Sequence, residues 1–88
     1  MIRETLRVNN TTGLHARPAS AIVKVVSRHH ANVEFVFKEK VIKGKSVIGL
    51  MTAGITGGAS VDVFCDGEDE EAVYSEIKAL FDAGFGEQ

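Results

Sequence analysis

Eighty-eight residues, 44% of them hydrophobic, suffice for a single two-layer domain over residues 1–88 and leave no room for a second core. A formal net charge of −2 argues against a nucleic-acid binder that works through a bulk positive field. MIRETLRVNN lacks the apolar run of a signal peptide, no segment reaches a membrane span, and the lone Cys65 excludes an internal disulfide. The expectation is a small domain of the reducing cytoplasm with no membrane insertion.

Ile2, Glu4, Leu6 and Val8 alternate with Arg3, Thr5 and Arg7, a strand with one polar exception on its apolar face. NNTTGL, residues 9–14, is turn chemistry, in which Thr11 or Thr12 can satisfy loop groups. From Ala16 the period changes. Ala19, Ile22, Val23 and Val26 mark one face of a helix that begins near residue 15 or 16 and fades around Ser27–His30. Pro18 falls in its first turn, where a missing N–H costs no intrahelical bond.

Val33, Phe35 and Phe37 share one face of a second strand, and Val41-Ile42 begin a third after a turn at Lys38-Glu39. This hairpin lacks the usual Asn-Gly. VIGLM competes between strand and helix, and Ser46 before it, a good N-cap, favours a short helix from 47 to about 52. GITGGA, residues 54–59, is a loop. Val61, Val63 and Cys65 alternate with Ser60, Asp62 and Phe64 in a fourth strand ended by Asp66-Gly67. Val73, Ile77, Leu80 and Phe81 predict a last helix over about 69–83, with Asp69, Glu70 and Glu71 in its first turn and Gly84 placed to end it. The order βαββαβα predicts an α+β fold, an open-faced two-layer sandwich with helices on one face of a mainly antiparallel sheet.

His15 lies between a glycine turn and the start of the first helix, where a cap, a metal ligand, a general base and a nucleophile are all conceivable roles. Metal binding has little support: His29 and His30 lie roughly 20 Å away at ~1.5 Å per residue, and no zinc-type spacing occurs. No cofactor is implied. A serine-hydrolase role lacks a GxSxG elbow, and no acidic orienter stands near His15 in the chain. The helix N-terminus favours an anion, with Ala16 and Arg17 offering backbone N–H groups and the Arg17 guanidinium suited to phosphate. Such a site would stabilise a phosphoryl group carried on the imidazole and keep the ring neutral and nucleophilic.

TGLHARPA at residues 12–19, followed by KSVIGLM at residues 45–51, resembles the HPr family, the histidine-containing phosphocarriers of the bacterial phosphoenolpyruvate-dependent sugar phosphotransferase system. The resemblance extends over nearly the whole chain, including the element order, the loop at 54–59 and the acidic start of the last helix. It implies a four-stranded antiparallel sheet in the order 1-4-2-3, covered on one face by three helices. It also implies a carrier rather than an enzyme: His15 accepts a phosphoryl group on Nδ1 from phospho-enzyme I and passes it to a sugar-specific enzyme IIA, assisted by Arg17. Gly44 departs from the larger residue that the family pattern carries there.

Ser46 reads as an ordinary N-cap. The resemblance adds that this serine is the target of HPr kinase/phosphorylase in many bacteria, where its phosphorylation slows transfer from enzyme I and in some creates a corepressor for a transcriptional regulator. An alternative follows, a mainly regulatory HPr signalling through Ser46 where sugar transport is incomplete. Arg17, Ser20, Lys24, Ser27 and Arg28 form a stripe on the first helix that reads either as a solvated basic face or as part of a docking surface. The resemblance places it beside Val47, Ile48 and Met51, giving an apolar centre with a basic rim for acidic partners. Leu50 and Cys65 read as core, and a transient carrier of this kind is expected to be a monomer.

Overall fold

The computed structural model describes residues 1–87. Its strands are β1 (Ile2–Arg7), β2 (Asn32–Phe37), β3 (Lys40–Lys43) and β4 (Ser60–Asp66). Its helices are α1 (Ala16–Ser27), α2 (Val47–Thr52) and α3 (Glu70–Asp82), followed by a 3-10 turn at Gly84–Gly86. The four strands form one antiparallel sheet in the order β1-β4-β2-β3, and α1 packs against both α2 and α3. This is the open-faced α+β sandwich expected from the pattern and the resemblance.

The period-2 faces meet the helical stripes. Val61, Val63 and Cys65 of β4 and Val33, Phe35 and Phe37 of β2 are buried against Ile22, Val26, Leu50, Val73, Ile77 and Phe81 from the helices. Phe35 and Phe81 stack across the two layers with ring centroids 6.3 Å apart. Burial pushes the Cys65 thiol up to about 11, with Glu70 adding to the shift, so it remains a protonated core side chain near neutral pH. The stripes differ in detail from their sequence reading. On α1 the buried set is Pro18, Ala19, Ile22, Val25 and Val26, while Val23 is half-buried; Val25 lines a groove with Glu76, Ala79 and Leu80 of α3. Leu80 of α3 likewise only borders the core.

Glu4 stays exposed because β1 is an edge strand that pairs only with β4. On the open face, Arg3 lies 5.2 Å from the ring centroid of its cross-strand partner Phe64, and the Thr5 hydroxyl donates to Asp62 at 2.6 Å. The β2–β3 hairpin turns through Lys38 and Glu39 with φ of 49° and 68°. Two left-handed residues are what a tight two-residue turn requires, here taken by side chains that normally avoid that region.

Candidate functional site

The loop after β1 is built around one side chain. Asn10, buried, accepts the Gly13 N–H on Oδ1 at 2.9 Å and donates from Nδ2 to the Gly13 carbonyl at 3.1 Å. This bracket, rather than Thr11 or Thr12, satisfies the loop; both threonines are exposed. Gly13 is left-handed, with φ of 77°, and a Cβ there would collide with the Ile55 carbonyl oxygen and lie 2.9 Å from Thr56 Cα. The close approach lets the Leu14 N–H donate to the Ile55 carbonyl at 3.1 Å, tying the loop to residues 54–59. Leu14 is buried, and the chain emerges from it at His15.

His15 is the N-cap residue of α1 by backbone geometry, with extended φ and ψ of −86° and −165°, and its carbonyl accepts the Ala19 N–H at 3.0 Å. Its side chain makes no capping hydrogen bond. The simple capping role is therefore not what the imidazole does. Pro18 is buried and brings no N–H, so the backbone donors between His15 and Pro18 in the first turn are those of Ala16 and Arg17. Arg17 is exposed and enters no ion pair among the described residues, which leaves its guanidinium available to an incoming anion.

The sequence reading missed an acidic partner. Glu87 Oε1 lies 3.0 Å from His15 Nε2 and accepts a hydrogen bond from Asn10 Nδ2 at 3.1 Å. Seventy-two positions separate Glu87 from His15, and no spacing signal links them. The Gly84 break does more than end α3. Gly84, Phe85 and Gly86 are all left-handed, with φ of 62°, 57° and 76°, and swing the chain back over the site. Phe85 anchors this return edge-on against Phe81, with centroids 4.9 Å apart.

His29 and His30 take no part in this site. His29 is clasped between carboxylates, with Nδ1 3.2 Å from Asp69 and Nε2 2.6 Å from Glu76. Glu76 also accepts from Arg28 at 2.7 Å, which removes Arg28 from the free basic stripe. Among the described residues no cluster of three or more His, Cys, Asp or Glu side chains could hold a metal.

Ser46 caps α2, its Oγ accepting the Gly49 N–H at 2.9 Å. It is half-buried at the edge of a shallow groove also lined by Lys40 and Lys43. Both glycines flanking it have steric reasons. A Cβ on Gly44 would lie 2.9 Å from the Val33 carbonyl, which its N–H contacts at 2.8 Å; a Cβ on Gly49 would lie 2.9 Å from Ser46 Oγ. On α2, Leu50 is fully buried, Val47 packs on the core edge, and Ile48 and Met51 remain 75% and 43% exposed. Ser20, Lys24 and Ser27 are exposed on the neighbouring α1.

A family model described as "PTS HPr component phosphorylation site" matches residues 2–83. The phosphocarrier protein HPr of Treponema pallidum (strain Nichols) is 35% identical over 88 residues, covering 100% of both chains. The crystal structure of HPr-C-His from Thermoanaerobacter tengcongensis superposes with a TM-score of 0.94 at 33% identity, over 100% of this chain and 99% of that one. A crystal structure of an HPr dimer from the same organism gives a TM-score of 0.78 at 33% identity, covering 99% of this chain and 100% of that one. With the 1-4-2-3 sheet and a histidine left open at the start of α1, these matches make the chain a member of the HPr family of phosphocarrier proteins.

Proposed function

We propose that this chain carries phosphoryl groups on His15, taking them from phospho-enzyme I and giving them to a sugar-specific enzyme IIA. The observation that carries this reading is the state of His15: a side chain 44% exposed, on an open helix N-terminus, with an imidazole that caps nothing. In the transfer, the lone pair of Nδ1 forms the N–P bond as the bond from phosphorus to its donor breaks in line. The backbone N–H groups of Ala16 and Arg17 and the Arg17 guanidinium bind the phosphoryl oxygens. The partners supply the remaining catalysis, and the carrier acts in the cytoplasm with no cofactor or metal.

Ser20, Lys24, Ser27, Val47, Ile48 and Met51 form the docking face, with exposed Ile48 and Met51 as its apolar centre and Lys24 in its rim. Ser46 is the site of regulatory phosphorylation by an HPr kinase/phosphorylase, and the modified protein is the form read by a transcriptional regulator. There the new charge would stand at the start of α2 beside the docking face. The carrier works as a monomer; the dimeric relative makes sedimentation of this chain the check on that point.

The test is incubation with phosphoenolpyruvate and enzyme I. Acid-labile phosphate that disappears in His15→Ala is expected; labelling that survives the substitution overturns the reading.

A further inference from the structure

Glu87 is held more firmly than a carboxylate in a surface turn needs to be. Its side chain is only 15% exposed, with one oxygen shared between Asn10 Nδ2 and His15 Nε2. Asn10 is committed to the same loop through both Gly13 contacts, so the carboxylate is registered against the backbone that sets His15. Asn9 adds a second stitch, donating from Nδ2 to the Asp82 carbonyl at 3.3 Å. The chain reaches this place through a left-handed phenylalanine, Phe85, a conformation that bulky side chains rarely adopt. Backbone held in a sparsely populated region and secured by packing is a mark of a position under functional constraint.

An ionised carboxylate only accepts hydrogen bonds, so His15 Nε2 must be the donor. In the neutral ring this leaves the lone pair on Nδ1. Resting on the carrier reading above, we propose that Glu87 is a positioning residue for phosphoryl transfer. It holds the Nε2–H tautomer, fixes the ring so that Nδ1 faces the incoming phosphorus, and balances the charge that transfer creates.

The electron count explains that last role. The Nδ1 lone pair becomes the N–P bond, and the electron pair of the broken bond leaves with the donor. Nε2 keeps its proton throughout, so the imidazole turns cationic as the bond forms. Glu87 lies against that positive charge at Nε2, the nitrogen that phosphorus does not take, while in the proposed transfer the Ala16 and Arg17 donors bind the negative oxygens. A buried carboxylate behind a catalytic histidine supports tautomer, orientation and developing charge in the same way in hydrolase triads.

The experiment compares wild type with Glu87→Ala and Glu87→Gln in two independent measurements. Nitrogen-15 NMR of the unphosphorylated protein at mildly alkaline pH reads the ring directly and needs no partner. The expected wild-type spectrum has a protonated Nε2 with a slowly exchanging Nε2–H resonance. That resonance is lost in Glu87→Ala and kept in Glu87→Gln, whose amide oxygen still accepts. In steady-state transfer from enzyme I, Glu87→Ala should lower kcat about tenfold with KM for the carrier unchanged, the pattern of a misplaced reacting group rather than a lost docking contact. Glu87→Gln, which keeps the acceptor but not the charge, should recover only part of that loss. An unchanged Nε2–H signal in Glu87→Ala, an unchanged kcat, or an effect confined to KM each overturns the role of Glu87 alone. A wild-type chain that accepts no phosphate at His15 overturns the carrier reading itself, and this role with it, whatever the NMR shows.

Discussion

Gly13→Ala isolates what the structure requires of the loop that presents His15. Two costs are distinct. A left-handed alanine costs roughly 1–2 kcal/mol by itself. The Ile55 carbonyl oxygen and Thr56 Cα then stand within contact distance of the new Cβ, and both are backbone atoms that no rotamer change can move. Relief requires the two loops to separate, which breaks the Leu14–Ile55 hydrogen bond and loses about another 1 kcal/mol. Gly54→Ala is the control, because Gly54 has the same left-handed φ, 78°, with nothing within 4 Å of its Cβ position. In urea unfolding, Gly54→Ala should cost about 1 kcal/mol and Gly13→Ala about 2–4 kcal/mol, a midpoint lower by about 1–2 M for a domain of this size. Phosphate acceptance should fall in Gly13→Ala at urea-free equilibrium, because the His15 N–H contacts the Gly13 carbonyl at 3.1 Å, and should be unchanged in Gly54→Ala. Equal destabilisation by the two substitutions would refute the argument that the 13–55 approach shapes the site.

Two further outcomes follow from the helix ends. Ser46→Ala leaves the Gly49 N–H without its cap and should cost about 1 kcal/mol in urea unfolding, with faster hydrogen exchange confined to α2; no measurable loss would contradict the capping geometry. Three carboxylates at α3 lie below their ordinary range: Asp69 chiefly through the His30 N–H, Glu70 chiefly through the Gly67 N–H, and Glu76 chiefly through Arg28. A folded-state value below the unfolded one means that their stabilisation is complete above the unfolded value and disappears as pH falls through the folded one. The urea midpoint should therefore hold level from pH 7 to about 5 and then decline as the solution is acidified, and Asp69→Asn should flatten part of that decline. A midpoint that rises on acidification would reverse the sign of the account.

Legibility in the sequence followed the range of the interaction. Elements set by local period were plain: Ser46 before VIGLM located α2, and the acidic run with Gly84 bounded α3 to within a residue or two. Features that depend on which neighbour arrives from elsewhere were not. The helical period puts Val23 on the core face with Ala19, Ile22 and Val26 and leaves Val25 off it, yet Val25 is the buried one, lining a groove with Glu76, Ala79 and Leu80 of α3 that local spacing does not show. The Lys38-Glu39 turn had the right length with the wrong residues, because strand pairing on both sides imposed a conformation that those side chains do not favour. Gly44 departs from the family pattern for a reason only the fold shows, because Val33 occupies the place a side chain there would take.

The site divides along the same line. His15, Ala16, Arg17 and Pro18 are consecutive, so the helix end and its donors could be read directly. Asn10 and Glu87 could not, since one fixes a loop whose shape depends on residues 54–59, and the other returns from beyond α3. The division has a physical basis. On the proposed carrier reading, a nucleophile offered to several proteins has to remain at the surface, where a short exposed motif suffices to present it. Its tautomer and direction, however, have to be set from behind, on the buried side, and only the folded chain brings groups there. The exposed half of such a site is written in adjacent residues, and its supporting half in distant ones. That is why Glu87, invisible as a spacing, is the residue whose removal should separate presenting the histidine from arming it.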